Sequence, residues 1–276
     1  NGDIILDNPI TKLGGTEEIN VTLQADGDIS LTGEGDITST GVMNVVLNAD
    51  RDGDEDGKIS IESADITTDG GYFVAGGGSG TLGGVDGILG NGDGTGADDI
   101  AAFAVGSGHG IGVLASQITT SGGDVFFRGY AKGTGTNDGL VFNSSELYSG
   151  AGDINLIGTS TGDTSIPLGV YFTSSTVPTI VESTSGHINI IGTSSSESGV
   201  SFWEDASILT TDGDITLTGI AASDNDLQSS HSGGKTQVIS STNGNVTLNV
   251  DDIHIVAMTS ISAGDTLSIQ TLDDAT

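Results

Sequence analysis

Three phenylalanines set at one interval constrain this chain more than any other feature. Gly139-Leu140-Val141-Phe142 is followed by Gly169-Val170-Tyr171-Phe172 and Gly199-Val200-Ser201-Phe202, so Phe142, Phe172 and Phe202 recur every 30 residues. Each phrase is followed by a second short apolar run, at Leu147-Tyr148, Ile180-Val181 and Ile208-Leu209. A third run closes each unit, at Gly152-Asp153-Ile154-Asn155-Leu156, Gly186-His187-Ile188-Asn189-Ile190 and Gly213-Asp214-Ile215-Thr216-Leu217. Three short strands repeated at a fixed period predict an all-β fold, a parallel β-helix (β-solenoid) with about three short strands per coil. Inward positions then form ladders, Phe142 on Phe172 on Phe202 and Ile154 on Ile188 on Ile215, because a single coil cannot bury its apolar face alone.

The same unit runs from end to end. Ala25-Asp26-Gly27-Asp28-Ile29-Ser30-Leu31-Thr32-Gly33 is nearly repeated as Thr211-Asp212-Gly213-Asp214-Ile215-Thr216-Leu217-Thr218-Gly219, and Ala64-Asp65-Ile66-Thr67-Thr68 returns as Ser116-Gln117-Ile118-Thr119-Thr120. The period gives roughly nine or ten coils, on the order of 45 Å of stack at the ~4.8 Å strand spacing. Residues 1–276 read as one solenoid segment, with polar loop insertions expected at 76–110 and 221–235, since long loops can leave a stacked coil without breaking it.

Composition narrows function. Glycine supplies 46 of 276 residues, there are 3 prolines and no cysteine, and 38 acids against 6 lysines and arginines give a net charge of −32. A polar, Gly-rich acidic chain raises the possibility of disorder, but the alternation of Ile, Val and Leu with small polar residues gives each run a face to bury. A phosphate backbone would be repelled, so no nucleic-acid partner is expected. No apolar run reaches the ~20 residues that span a bilayer, so no membrane insertion is expected either. The repeat is already under way at Gly2-Asp3-Ile4, which reads as a segment of something longer or a processed product. Open edges at both ends of a stack pair with further strands, so the expected partners are other copies or adjoining repeats end to end, and cell-surface glycans.

Residues 208–219 and Gly139-Leu140-Val141-Phe142 resemble the repeats of large filamentous-haemagglutinin-like surface proteins of bacteria. The resemblance covers most of the chain. It implies a right-handed parallel β-helix, secretion, and adhesive or matrix work at the bacterial cell surface or outside it, and it carries over no catalytic residue.

The sharpest candidate site is Asp50, Asp52, Asp54 and Asp56, closed by Gly57. Alternate carboxylates ending in glycine match the first half of a calcium loop, which makes calcium the expected cofactor. Counted from Asp52, the twelfth position is Ser63 and Glu62 falls one residue short, so this is no EF-hand. A loose calcium turn and a solvated acidic turn both fit. Weaker acidic candidates are Asp93, Asp98 and Asp99, and Asp224-Asn225-Asp226. The four histidines, His109, His187, His231 and His254, fall in separate repeats and read as solvated. Trp203 follows a ladder position, so alternation turns it outward, where it can stack on a sugar.

The expected function is a structural or adhesive extracellular repeat segment, not an enzyme. The alternative is a carbohydrate-active β-helix enzyme of the glycoside hydrolase kind, which needs two facing carboxylates. Lyases need clustered basic residues to stabilise a developing anion, and an ice-binding face needs a regular Thr array. The outward faces read instead as Ser, Thr and Asn.

Overall fold

A computed structural model of the chain describes residues 2–77, 102–105 (backbone only), 108–133, 137–161, 167–230, 233–256, 258 and 260–272. Every regular element among them is a β-strand. The first coil places Ile4–Leu6, Ile10–Lys12 and Ile19–Gln24 on three separate sheets, and this cycle of first, second and third sheet repeats nine times. All pairings are parallel, each strand lying between its counterparts one coil before and one coil after. The predicted β-helix is therefore the fold. Nine coils at ~4.8 Å make a stack about 40 Å long.

The ladders fall where the period puts them. Phe142 pairs with Phe172 and Phe172 with Phe202, while Ile154, Ile188 and Ile215 form a second file and Leu147, Val181 and Ile208 a third. The rings of Phe142, Phe172 and Phe202 stack with centroids 5.7 and 5.1 Å apart, and Phe127 and Phe73 extend the aromatic column from the third sheet. One continuous apolar core runs from Ala25 to Val250. The end coils have a neighbour on one side only, which leaves the inward positions Ile255, Leu267 and Ile269 of the last coil exposed.

Corners are built from two recurring devices. In the first, a buried Ser or Thr stands three residues before a glycine at the turn into the third sheet. Ser149 Oγ donates to the Gly152 carbonyl at 2.6 Å, and the Gly186, Gly213 and Gly244 N–H groups donate to Ser183, Thr210 and Ser241. In the second, an Asp just before a strand's first inward residue accepts the backbone N–H one coil further on. Asp28 accepts from Lys58 at 3.0 Å, Asp124 from Asp153 at 2.9 Å, Asp153 from His187 at 2.7 Å and Asp214 from Asn245 at 2.8 Å. Asp3, Asp36 and Asp65 do the same. These seven acids are thus inter-coil staples, five of them written as Gly-Asp-Ile.

Removing one staple by Asp153→Ala is expected to lower stability by about 1.5 kcal/mol, the worth of a hydrogen bond to a charged group, read as a shift of the urea midpoint. The Asn245 N–H holds the Asp214 carboxyl below the usual carboxylate range. Its contribution is therefore complete above the unfolded value of about 3.9 and lost as pH falls through the folded one.

Both expected loops contain strands. Gly76 and Gly77 end the strand Phe73–Gly77, and Ala102–Val105 is a strand as well. Both pair with the same strand, Val125–Lys132, the former at Val125 to Phe127 and the latter at Gly129 to Lys132. Phe73–Gly77 and Ala102–Val105 therefore lie on one line of the third sheet; the stretch 78–101, with Asp93, Asp98 and Asp99, lies outside the described residues. The run 221–235 carries Leu227–Ser230, the first-sheet strand of the eighth coil, paired to Val200–Trp203 and Ile253–Ile255. It reads as loop because only Leu227 is apolar. The next inward position is Ser229, fully buried, and its hydroxyl is satisfied by the buried Gln237 amide at 2.5 Å.

The outward faces are also not uniformly polar. Val46, Val74, Phe126 and Ile157, at outward positions of the third sheet, form a second buried cluster with Tyr72 and Ile191 packed against it.

Candidate metal centre

The acidic turn lies at the corner between the third and first sheets, after Met43–Ala49 and before Ile59–Glu62. It is pinned to the coil beneath by the Asp50 and Arg51 N–H groups, which donate to the Gly27 and Ala25 carbonyls at 3.3 and 2.9 Å, and by an Arg51–Asp26 ion pair at 2.7 Å. The loop is tight, with positive φ at Asp50, Gly53 and Glu55 (50°, 70° and 70°), a conformation Asp and Gly tolerate better than most residues. Gly57 packs so closely on the Asp50 backbone that a Cβ there would sit under 3.0 Å from it.

This folding brings carboxylate oxygens of Asp50, Asp52 and Asp54 within 4.8 Å of one another. Asp52 and Asp54 are exposed, but Asp50 is only 4% exposed, and its Oδ1 has no hydrogen-bond partner. Asp56 does not join the three carboxylates; its backbone N–H instead donates to the Asp50 carboxylate, as does that of Glu55. Asp50 is pushed up from 3.8 to about 6. Burial is the largest cause; the Asp56 and Glu55 N–H groups oppose it, and the Asp54 and Asp52 charges add to the rise.

The residues fit a hard divalent cation. An all-oxygen donor set suits Ca²⁺ or Mg²⁺ rather than a thiophilic metal, and the partnerless Asp50 Oδ1 supplies a buried lone pair that a cation would satisfy. Glu62 lies on the strand Ile59–Glu62, which removes it from the turn, and the turn is flanked by strands rather than by the helices of an EF-hand.

The sign of the pH effect follows. With the folded pKa raised above the unfolded one, ionised Asp50 opposes folding above pH 6. That opposition fades as pH falls from about 6 to about 4. Bound cation offsets it, so millimolar Ca²⁺ is expected to raise the melting temperature at pH 8 and to do much less at pH 5. Asp50→Asn is expected to raise the metal-free melting temperature at pH 8 and to abolish the calcium response. A calcium response that persists in Asp50→Asn would place the cation elsewhere.

The other sequence candidates are dispersed. Asp226 is buried and already accepts three backbone N–H groups, from Ala221 at 2.6 Å and from Asp251 and Asp252 at 2.5 and 3.2 Å, so it ties a turn together rather than waiting for a cation. His187 is exposed and accepts the Asp214 N–H at 3.0 Å, His254 is exposed, and His231 lies outside the described residues. His109 is not simply solvated. Its Nδ1 is 3.1 Å from Oδ2 of the buried Asp138, whose Oδ1 accepts the Leu168 N–H at 2.9 Å. Trp203 faces outward and is 41% exposed, as alternation requires. It lines a groove with Leu168, Tyr171, Glu197, Ser201 and Gln228. Sequence reading found Trp203 but not the groove, because Tyr171, Ser201 and Gln228 come from three different repeats.

Comparison with protein-family models, with curated proteins and with solved structures finds no match to this chain.

Proposed function

We propose that this chain is a structural or adhesive repeat segment of an extracellular bacterial surface, matrix or fibre protein, stiffened at one corner by calcium on Asp50, Asp52 and Asp54. The observation that carries the reading is the inter-coil stapling. Acids from Asp3 to Asp214 are committed to holding successive backbones together, so the recurring Gly-Asp phrases serve stiffness rather than chemistry. Exposed Ile255, Leu267 and Ile269 on the last coil offer an apolar edge to adjoining repeats or another copy.

The hydrolase alternative has one arrangement in its favour, the adjacent carboxyls of Glu197 and Asp224 beside the Trp203 groove. They are in hydrogen-bond contact, and burial followed by that contact pushes Glu197 up. Hydrolases hold their carboxyls about 5–9 Å apart so that a glycosidic bond fits between them. A pair already bonded to each other leaves no such room.

The test couples two readouts on one sample. Beads coated with the chain are offered bacterial and host cell surfaces while released reducing ends are assayed. Adhesion without release is the expected result; release of sugar from any polysaccharide contradicts a non-enzymatic solenoid.

A further inference from the structure

We infer that the outer face of the first sheet carries a binding groove for a neutral saccharide, with one sugar ring stacked on Trp203. Register builds the site. Tyr171 pairs with Ser201 and Ser201 with Gln228, so three successive coils present Tyr, Ser and Gln side by side at one outward position. Trp203 stands two residues further along the middle strand, on the same face. Glu197 and Leu168 close the groove, whose volume is about 260 Å³.

The chemistry of the lining selects the ligand. Ser201 points outward yet is only 2% exposed, which makes it the floor, while 41% of Trp203 remains open to water. A large exposed indole beside convergent hydroxyl, amide and carboxyl groups matches a ligand with an apolar face and an equatorial ring of hydroxyls. Gln228 Oε1 accepts from Ser198 Oγ at 3.1 Å, which leaves its amide N–H groups to donate into the groove. Tyr171 supplies a second aromatic wall, and burial, as the largest cause, pushes its phenol above the usual range, so it remains a hydroxyl donor. Charge decides the class. With a net charge of −32 and Glu197 at the rim, sulfated or otherwise anionic polymers are repelled and neutral ones are not.

The inference goes beyond the adhesive reading and rests on it only in expecting no turnover. Trp203 is the sole tryptophan, so intrinsic fluorescence reports on the groove directly. Titration with neutral hexasaccharides of the malto, cello, laminari and chito series, alongside heparin, is expected to give a saturable blue shift with at least one neutral series and none with heparin. By calorimetry, Gln228→Ala is expected to weaken that binding about tenfold, and Trp203→Ala to abolish it, the latter with an unchanged melting temperature. The groove is overturned if no neutral series gives a saturable shift, if heparin alone binds, or if both variants bind as the parent does. Cleavage of a bound hexasaccharide would support the groove and overturn the non-enzymatic reading instead.

Discussion

Phe172→Ala is expected to destabilise the chain by about 3–5 kcal/mol, the range for truncating a buried phenylalanine, with the protein remaining β-rich in cool buffer. Phe172 is fully buried midway along the stack, between Phe142 at 5.7 Å and Phe202 at 5.1 Å between ring centroids. The substitution removes both ring contacts and leaves a cavity that the two neighbours cannot fill without leaving register. Coils contact only their neighbours, so the damage should be local at first. Protection of amides in Leu140–Asn143, Val170–Thr173 and Val200–Trp203 should fall before that of the second coil. The measurement is hydrogen exchange with a urea midpoint alongside. A loss below about 1 kcal/mol would mean that the aromatic file is not packed as described.

Gly186→Ala is expected to do comparable harm through a single methyl group. Gly123, Gly152, Gly186, Gly213 and Gly244 form a column at the turn into the third sheet, each seated against the backbone of the glycine one coil earlier. A Cβ on Gly186 would sit under 3.0 Å from the carbonyl of Gly152, and the obstacle is backbone, so no rotamer relieves it. Overpacking typically costs about 1–3 kcal/mol. Here the displaced strand also strains the Gly186 N–H bond to Ser183 Oγ, now 2.9 Å, which places the expected loss at the upper end. Thermal melting followed at 218 nm checks it. Ser185→Ala, one residue away on the exposed side of the same turn, should change the stability by less than about 0.5 kcal/mol.

These two positions also show what could be read in advance. The phenylalanine ladder was legible because its period is regular and its residues are unmistakably apolar, so spacing alone gave the register of Phe142, Phe172 and Phe202. Gly186 was legible as a turn residue but not as a member of a column, since its need for a missing side chain arises from the coil beneath. Asp153 was hidden for the same reason: its partner, the His187 N–H, is 34 residues away and carries no sequence mark. Leu227–Ser230 was mistaken for loop because a Ser–Gln pair fills a slot that elsewhere holds Leu, Ile, Val or Phe. The outer cluster of Val74, Phe126 and Ile157 breaks the rule that alternate residues face water, and no periodicity argument detects it.

Of the candidate site, the residue types and their spacing pointed to Asp50, Asp52 and Asp54. What the spacing could not supply was the asymmetry among them. Asp50 is buried because the turn is pinned to Ala25 and Gly27 of the preceding coil, and Asp56 is drawn out of the cluster because its backbone is needed to hold Asp50.

The claim that most of this account rests on is that nine coils form one body, each held by the next. Hydrogen exchange resolved coil by coil at pH 7 tests it directly. The account predicts slow exchange from the second coil through the eighth, with protection decaying only in Ile4–Leu6 and its coil and in Ile253–Ile255 and its coil. It predicts no step between Ile59–Glu62 and Ile111–Leu114, which are paired directly. Fast exchange at that junction, dividing the chain into two independently protected halves, would contradict it.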